Sequence, residues 1–277
     1  MVRGAAGPTR DAGGAVGLTR AGARPGTRAA ALALGRAGSL LLDLLLPRVC
    51  AACGRPMRDR DVGVICGRCW SRVDGLPSPQ CQRCGHPRLS EGACGWCATL
   101  PPFVRAVRSF CSVHTGAGLA IVAALKYDGW TAAADAMAER MARLAWPLDV
   151  VEERVALVPV PLAAARARER GYNQSELLAR GLARRWAIPL WPGCVERVRG
   201  TASQTRLTPG ERRRNVCGAF RAAPAAFNFR GAHLVLVDDV VTTGATLNEC
   251  SAALYDAGAR IVSYVTFGRA PALGDRW

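Results

Sequence analysis

The sequence predicts an α/β fold in which a parallel sheet is flanked by helices and preceded by a small cysteine-rich domain. The apolar run Leu234–Val237 is followed by two acids, Asp238 and Asp239 (the acidic pair), and then by apolar residues at helical spacing. This order is typical of a buried strand, a polar turn and an amphipathic helix. A strand pattern over residues 260–267 completes a βαβ unit, and Val155–Val158 predicts another buried strand. The loops of such units lie at the carboxyl edge of the sheet.

Composition places the domain boundaries. Residues 1–38 are rich in Gly, Ala and Arg, which predicts either a disordered basic leader or a stretch upstream of the true start. Residues 39–100 contain the cysteine-rich domain, and residues 101–277 contain the α/β domain. No apolar run approaches the roughly 18 residues of a membrane span, so we expect a cytoplasmic protein that makes no membrane contact.

The cysteines predict two structural zinc sites. Eight of the twelve cysteines form four Cys-x-x-Cys pairs. Each pair places two thiolates on one side of a tight turn, which is half of a tetrahedral zinc site. Disulfides and a thioredoxin-like redox centre fit tandem pairs in a cytosolic chain less well, and an interleaved pairing would satisfy the same spacing. The simplest partition gives one site from Cys50, Cys53, Cys66 and Cys69 and a second from Cys81, Cys84, Cys94 and Cys97.

The remaining elements follow from apolar periodicity and capping signals. Alternation over residues 104–113 predicts a strand, with an edge hairpin as one arrangement. Residues 119–125 and 132–144 are predicted to be helical. Asn173, with Glu176 three residues later, predicts a helix start with a capping box.

The formal net charge of +16 lies mainly in the leader and in residues 151–220. It suits a small phosphorylated ligand and a nucleic acid equally well. One basic group follows the strand Val155–Val158 and is predicted to form an anion-binding turn. The turn carries Arg166, Arg168, Arg170, Gly171, Asn173 and Gln174. A solvated charged face explains the same arginines without a ligand, and this alternative stays open.

A second basic stretch, Glu196–Phe220, separates the two predicted ligand loops. It is polar, contains Gly and Pro and shows little apolar periodicity, as expected for a functional lid or a disordered segment. A lid that closes over a phosphorylated ligand excludes water. The residues assigned to this lid are Gln204, Arg206, Arg212, Arg213, Arg214 and Asn215.

The loop after the buried strand has the chemistry of a sugar-phosphate site. The acidic pair would repel a phosphate, but carboxylates bind hydroxyl groups or a hydrated Mg²⁺. The segment Thr242–Thr246 (the Thr-rich loop) precedes the predicted helix, where hydroxyls, backbone N–H groups and the positive helix end favour a phosphate. The alternative without a ligand is a buried strand followed by a solvated Asp-Asp turn.

The string VLVDDVVTTGAT resembles the signature of type I phosphoribosyltransferases, which bind 5-phosphoribosyl-1-pyrophosphate (PRPP). The resemblance implies that the acidic pair contacts the ribose and acts in catalysis, while the Thr-rich loop holds the 5′-phosphate. The arginine turn would then bind the pyrophosphate. The residues assigned to PRPP are Lys126, Arg166, Arg170, Gly171, Asn173, Gln174, Val240, Val241, Thr242, Thr243, Gly244, Ala245 and Thr246.

A longer set of motifs resembles the competence-protein ComF family. The zinc-ribbon cysteines, LKY, VPVP, RGYNQSELLA, TASQTRL and RRRNVCGAF occur in this order within residues 39–270. The family implies a type I phosphoribosyltransferase-like fold behind a double zinc ribbon, with a link to natural transformation and DNA uptake. This sequence departs from the family at Ala163-Ala164, where members often carry a His after Pro-Leu. If that His positions substrate, its absence argues against turnover.

Two functions therefore stand as hypotheses. The first is an enzyme that transfers phosphoribosyl from Mg²⁺-PRPP to an unidentified acceptor, with metal and arginine stabilising the departing pyrophosphate. The second is a non-catalytic protein that senses PRPP, or that binds single-stranded DNA or a protein of the competence machinery through its zinc ribbons and basic surface. Aromatic residues near the basic stretches are sparse, so base stacking is weakly supported.

Overall fold

The computed structural model describes residues 47–58, 61–88, 94–199, 209–223 and 226–271. The predicted leader, together with Gln204 and Arg206 of the predicted lid, lies outside the described residues, as do the side chains of Arg212 and Arg213. The strands are β1 Val104–Ser112, β2 Arg154–Pro159, β3 Val195–Arg197, β4 Phe220–Ala222, β5 His233–Val241 and β6 Ile261–Arg269. The helices are α1 Gly67–Trp70, α2 Gly116–Tyr127, α3 Ala133–Ala142, α4 Leu148–Glu153, α5 Ala164–Arg170, α6 Gln174–Trp186, α7 Pro209–Val216 and α8 Ala245–Asp256, with a 3₁₀ turn at Gly95–Thr99.

The central sheet has four parallel strands in the order β1–β6–β5–β2. This confirms the predicted α/β class and the βαβ unit, since β5, α8 and β6 follow one another and the two strands pair in parallel. The edge hairpin considered for residues 104–113 is wrong, because β1 pairs with β6 from the far end of the chain. Among the described residues, no helix is both long and apolar enough to cross a membrane.

Alternate residues of the strands pack into two hydrophobic clusters, one on each face of the sheet. Leu234 and Leu236 of β5 pack in the cluster that includes α8, β3 and β4. Val235 and Val237 pack in the other cluster, with α2, α3 and α6. Because neighbouring side chains of a strand point to opposite faces, a continuous apolar run is what a strand buried on both faces requires.

The cysteine-rich segment contributes to both clusters. Its first half adds Cys50, Ile65, Cys66 and Cys69 to the cluster with α2, α3 and α6. Its second half adds Cys84 and Trp96 to the cluster with α8. The segment also covers the open edge of β1, where the backbone N–H groups of Val107 and Ser112 donate to the carbonyls of Arg83 and Asp74, both at 2.9 Å. The chain from Arg48 onward is one compact unit, and the boundary near residue 100 stays a prediction.

Three stretches that the sequence suggested were irregular are regular in the structure. Strand β5 continues through the acidic pair to Val241, because β6 runs alongside it and pairs Val240 with Gly268. The arginine turn is the short helix α5, which ends at Gly171 with a φ of +76°. Part of the predicted lid is ordered as the antiparallel strands β3 and β4 and the helix α7.

Candidate functional site

A cavity of about 390 Å³ opens where β2 and β5 end side by side. The acidic pair and the Thr-rich loop line one side of it, and Val160–Ala163 line another. Lys126, Arg166, Gln174, Ser175 and Arg197 add polar and charged groups. The two strand ends that the sequence singled out therefore meet in one cavity, as the carboxyl edge of a parallel sheet predicts.

Asp238 is held in place by its neighbours on two elements. The Ser175 hydroxyl, from the first turn of α6, donates to Asp238 Oδ1 at 2.8 Å, and the backbone N–H of Asp239 donates to the same oxygen at 2.9 Å. Burial raises the pKa of Asp238 to about 6, against the opposing effects of the Lys126 charge and the Ser175 hydrogen bond. The carboxylate is therefore poised to be ionised at neutral pH and neutral in mild acid.

Asp239 is the more buried acid and carries a cationic partner. Its Oδ2 lies 2.6 Å from Nζ of Lys126, and its Oδ1 accepts from the backbone N–H of Val240 at 2.8 Å. Burial lowers the pKa of Lys126 to about 8, although the Asp238 charge acts in the opposite direction. Lys126 is the only lysine in the sequence. The other 36 of its 37 Lys and Arg residues are all arginine.

The Thr-rich loop turns the chain from β5 into α8. Gly244 has a φ of +75°, in the left-handed region that glycine adopts without strain. The Thr243 hydroxyl accepts from the backbone N–H of Ala245 at 3.4 Å, and the Asn248 N–H donates to the Gly244 carbonyl at 2.8 Å. The 12-residue helix α8 thus begins at the cavity wall, where its first N–H groups have no partner within the helix and can bind an anion.

The predicted anion-binding residues of the arginine segment divide into two groups. Arg166 and Gln174 line the cavity. Arg170 does not; its guanidinium contacts the Gln174 side-chain oxygen and lies 5.7 Å from the centre of the Tyr127 ring. Gly171 ends α5 and lies outside the cavity lining as well.

Asn173 is placed as a cap between strand and helix. Its Oδ1 accepts from the Ser175 N–H at 3.0 Å, and its Nδ2 donates to the Val160 carbonyl at 3.0 Å. The predicted helix start is confirmed, but Glu176 pairs with Arg180 in place of the expected capping-box contact. Asn173 therefore fixes the end of β2 relative to α6, and with it the position of Ser175.

Of the predicted lid residues, the side chains of Arg214 and Asn215 are described, and neither lines the cavity. Arg214 is exposed on α7, and the Asn215 carbonyl accepts from Arg199 at 3.3 Å. Residues 200–208 and two arginine side chains of α7 lie outside the description.

Sequence reasoning missed several residues that shape the cavity. Ser175 adjoins the predicted Asn173-Gln174, and its place in the first turn of a capped helix was a signal that it faces the same edge. Arg197 of β3 lines the cavity, and its guanidinium lies 5.2 Å from the Phe220 ring centre. No local sequence pattern predicted that Arg197 belongs to the site. Leu119 and Val122 of α2 form an apolar wall that helical periodicity assigns only to a core.

The eight paired cysteines form two separate four-thiol clusters. The sulfur atoms of each set lie within 4.8 Å of one another, and the partition is the sequential one, so interleaved pairing is excluded. Sulfur–sulfur distances of 3.8 Å for Cys50–Cys69 and 3.5 Å for Cys81–Cys97 fit four thiolates around one tetrahedral zinc ion, for which about 3.8 Å is expected. The first cysteine cluster is Cys50, Cys53, Cys66 and Cys69, and the second is Cys81, Cys84, Cys94 and Cys97.

Comparison with known proteins agrees with this architecture. A family model of the double zinc ribbon domain matches residues 41–98, and one of the phosphoribosyl transferase domain matches residues 134–277. A DNA utilization protein YhgH of Salmonella typhi is 35% identical over 226 residues, covering 77% of this chain and 87% of the relative. Competence protein ComFC of Bacillus subtilis is 27% identical over 70% of this chain and 79% of its own length. The chain belongs to the ComF family.

The comparisons cover different parts of this ComF-family protein. Competence protein F of Haemophilus influenzae is 41% identical, but over only 42% of this chain and 50% of its own length. The matched phosphoribosyl transferase range contains the acidic pair, the Thr-rich loop, Arg166 and Ser175, whereas Lys126 precedes it. The cavity is thus completed by a helix outside the matched range.

Proposed function

We propose that this ComF-family protein binds PRPP together with Mg²⁺ and transfers its phosphoribosyl group to an acceptor in the use or uptake of DNA. The observation that carries the proposal is one cavity shared by the acidic pair, the Thr-rich loop and three cationic side chains, those of Lys126, Arg166 and Arg197. Carboxylates suit the ribose hydroxyls, the start of α8 suits the 5′-phosphate, and the cations suit the pyrophosphate.

The acidic pair has the chemistry that departure of pyrophosphate requires. Cleavage of the bond between C1 and the pyrophosphate oxygen leaves positive charge on the ribose, which a neighbouring carboxylate stabilises. The carboxylate oxygens of Asp238 and Asp239 are also hard ligands that would hold Mg²⁺, and the ion would supply positive charge to offset that of the departing pyrophosphate. Ser175 holds Asp238 in one orientation before the ligand arrives.

In this proposal Lys126 has one role in the empty site and another in the ligand-bound site. Without ligand, its ammonium neutralises the buried Asp239. Ribose hydroxyls at that carboxylate would replace the ammonium, which could then contact the pyrophosphate. A lysine suits this exchange better than an arginine, because it is a compact point charge on a flexible stem.

A second candidate is a PRPP sensor without turnover. It is favoured by Ala163, which lines the cavity at the place where ComF-family sequences often carry a histidine. A methyl group positions no acceptor and transfers no proton. In this candidate the occupied cavity regulates binding of single-stranded DNA or a protein partner by the basic surface.

The test is calorimetric titration of Mg²⁺-PRPP into the full zinc-loaded chain, beside a double variant, Asp238→Asn with Asp239→Asn. We expect the double variant to bind at least about tenfold more weakly, a loss of about 1.4 kcal/mol. Asp256→Asn, at the exposed far end of α8, is the matched control and should bind normally. Absence of binding by the wild-type protein would overturn the proposal.

Turnover separates the enzyme from the sensor. Phosphorus NMR of bound Mg²⁺-PRPP reports hydrolysis, in which water attacks C1 and yields ribose 5-phosphate, pyrophosphate and a proton. Hydrolysis faster than the buffer control, and lost in the double variant, supports the enzyme. Binding without any acceleration, combined with PRPP-dependent binding of a labelled single strand that weakens with salt, supports the sensor.

A further inference from the structure

Trp96 links the second cysteine cluster to the Thr-rich loop. It lies inside the Cys94–Cys97 pair and is 9% exposed. Its ring packs on Gly244, since a Cβ at Gly244 would lie 3.5 Å from the Trp96 Cη2 atom. Gly244 lines the cavity and Trp96 does not. The ring therefore supports the loop from behind, on the side away from the ligand.

The Trp96 ring is itself fixed by contacts on its other sides. His86 stacks against it with ring centres 6.4 Å apart and planes within 6° of parallel. The Arg269 guanidinium, at the end of β6, lies 4.4 Å from the ring centre and donates to the Cys84 carbonyl at 2.6 Å. The cluster, the ring and the carboxyl end of the sheet thus form one packed layer behind the loop.

A second tether runs from the same 3₁₀ turn to the start of α8. The Thr99 carbonyl accepts from Asn248 Nδ2 at 2.8 Å, and Asn248 Oδ1 accepts from the Tyr264 hydroxyl at 3.1 Å. The backbone N–H of Asn248 makes the hydrogen bond to Gly244 that opens the helix. Trp96 and Thr99, on either side of Cys97 in the sequence, therefore constrain the Thr-rich loop and the first turn of α8.

Within the part of the chain that the structure describes, the first cysteine cluster makes no equivalent contact. Trp70 follows Cys69, as Trp96 precedes Cys97, but its ring meets Phe267 edge-on at 6.2 Å and lies 3.4 Å from the Arg140 guanidinium. Both partners belong to the opposite face of the sheet. The two clusters thus offer a natural internal comparison.

We propose that Trp96 is a positioning residue for the Thr-rich loop, so that tight binding of the ligand phosphate requires an intact second cysteine cluster but not an intact first one. The inference rests on the proposed function in that the phosphate belongs to PRPP. A loop without its rear support samples conformations that cannot bind, and the apparent affinity falls by the fraction that remains competent. The second cluster then sets the affinity of a cavity whose wall it does not form.

The experiment compares Trp96→Ala, Trp96→Phe and the matched control Trp70→Ala in the full zinc-loaded chain. Mg²⁺-PRPP affinity should fall about tenfold in Trp96→Ala, recover largely in Trp96→Phe and stay within about twofold of wild type in Trp70→Ala. Cys97→Ser and Cys69→Ser should each reduce bound zinc from two ions per chain to one, and only Cys97→Ser should weaken PRPP binding.

Hydrogen exchange without ligand keeps this test independent of PRPP. The Asn248 amide should exchange faster in Trp96→Ala than in wild type or Trp70→Ala. If wild type does not bind PRPP but this difference appears, the proposed function fails and the positioning role stands. If Trp96→Ala binds PRPP as wild type does, or if both tryptophan variants lose affinity equally, the positioning role is overturned.

Discussion

The ion pair between Lys126 and Asp239 joins α2 to the end of β5 inside the cavity, with 2.6 Å between Nζ and Oδ2. The Asp239 side chain is 4% exposed and that of Lys126 is 22% exposed. A desolvated pair of this kind is costly to break by removing one partner, because the other charge stays buried. In the absence of ligand, the Lys126 ammonium therefore offsets the cost of burying the Asp239 carboxylate.

Replacing Lys126 with methionine should destabilise the protein by about 3 kcal/mol at pH 7, because Asp239 loses its cation. Urea unfolding measures the change. A double variant, Lys126→Met with Asp239→Asn, should recover most of the lost stability, since no unpaired charge remains. Equal stabilities of wild type and Lys126→Met would show that the pair contributes nothing.

Lys126 should also be singled out by an amine-selective reagent. Burial brings its pKa to about 8, so near that pH a large fraction of the side chain is a neutral nucleophile. Since the sequence contains no other lysine, the N-terminal amine provides an internal reference within each labelled sample. Mg²⁺-PRPP should protect Lys126 and leave the reference unchanged, as mass spectrometry would report. Unaltered labelling at saturating ligand would place the ammonium away from PRPP.

Binding of Mg²⁺-PRPP should strengthen as the pH rises through about 6, where Asp238 loses its proton. The raised pKa also affects folding. As the pH rises from about 4 to about 6, the free energy of unfolding should fall, because Asp238 loses its proton in the unfolded chain before it does so in the folded one. Ser175→Ala removes a hydrogen bond to the carboxylate, so the midpoint of binding should move upward by up to about one unit. In Asp238→Asn, any pH dependence that remains comes from the ligand phosphates and groups other than Asp238. If Ser175→Ala left the pH midpoint of binding unchanged, the assignment of that midpoint to Asp238 would be contradicted.

The sequence predicted those parts of the site that are local in the chain. The order of β5, Thr-rich loop and α8 follows from apolar periodicity, and the Asn173 cap follows from a signal within four residues. The cysteine partition follows from spacing, and the structure confirms it. Each of these depends on backbone geometry that neighbouring residues determine.

Contacts between distant segments were not predictable in this way. Helical periodicity places Ser175 on a helix but not against Asp238. The cysteine spacing places Trp96 within a Cys-x-x-Cys turn but not against Gly244. The helix α5 was also missed, because alternating Arg and Ala carry no apolar stripe and the preceding prolines favour extended backbone. These features depend on tertiary packing, which single-segment patterns do not encode.

The arginines of α5 should differ in their effect on PRPP. Arg166 lines the cavity, so Arg166→Ala should weaken binding about tenfold at low salt and less at high salt. Arg170→Ala should have a smaller effect, because its guanidinium contacts Gln174 and Tyr127. Arg168→Ala, exposed on the same helix, is the control for loss of charge. Equal small effects of all three variants would favour a solvated charged face.

Removing zinc with a strong chelator should destabilise the sheet as well as the cysteine-rich segment. The segments around the two cysteine clusters pack into the hydrophobic cores on the two faces of the sheet. They also hydrogen-bond to the edge of β1 through the carbonyls of Arg83 and Asp74. Loss of the metal sites should therefore expose that edge, and the Val107 and Ser112 amides should lose protection from hydrogen exchange. Thermal unfolding should shift downward as one transition. Retained protection at both amides after complete zinc removal would instead show that residues 101–277 fold independently of the zinc ribbons.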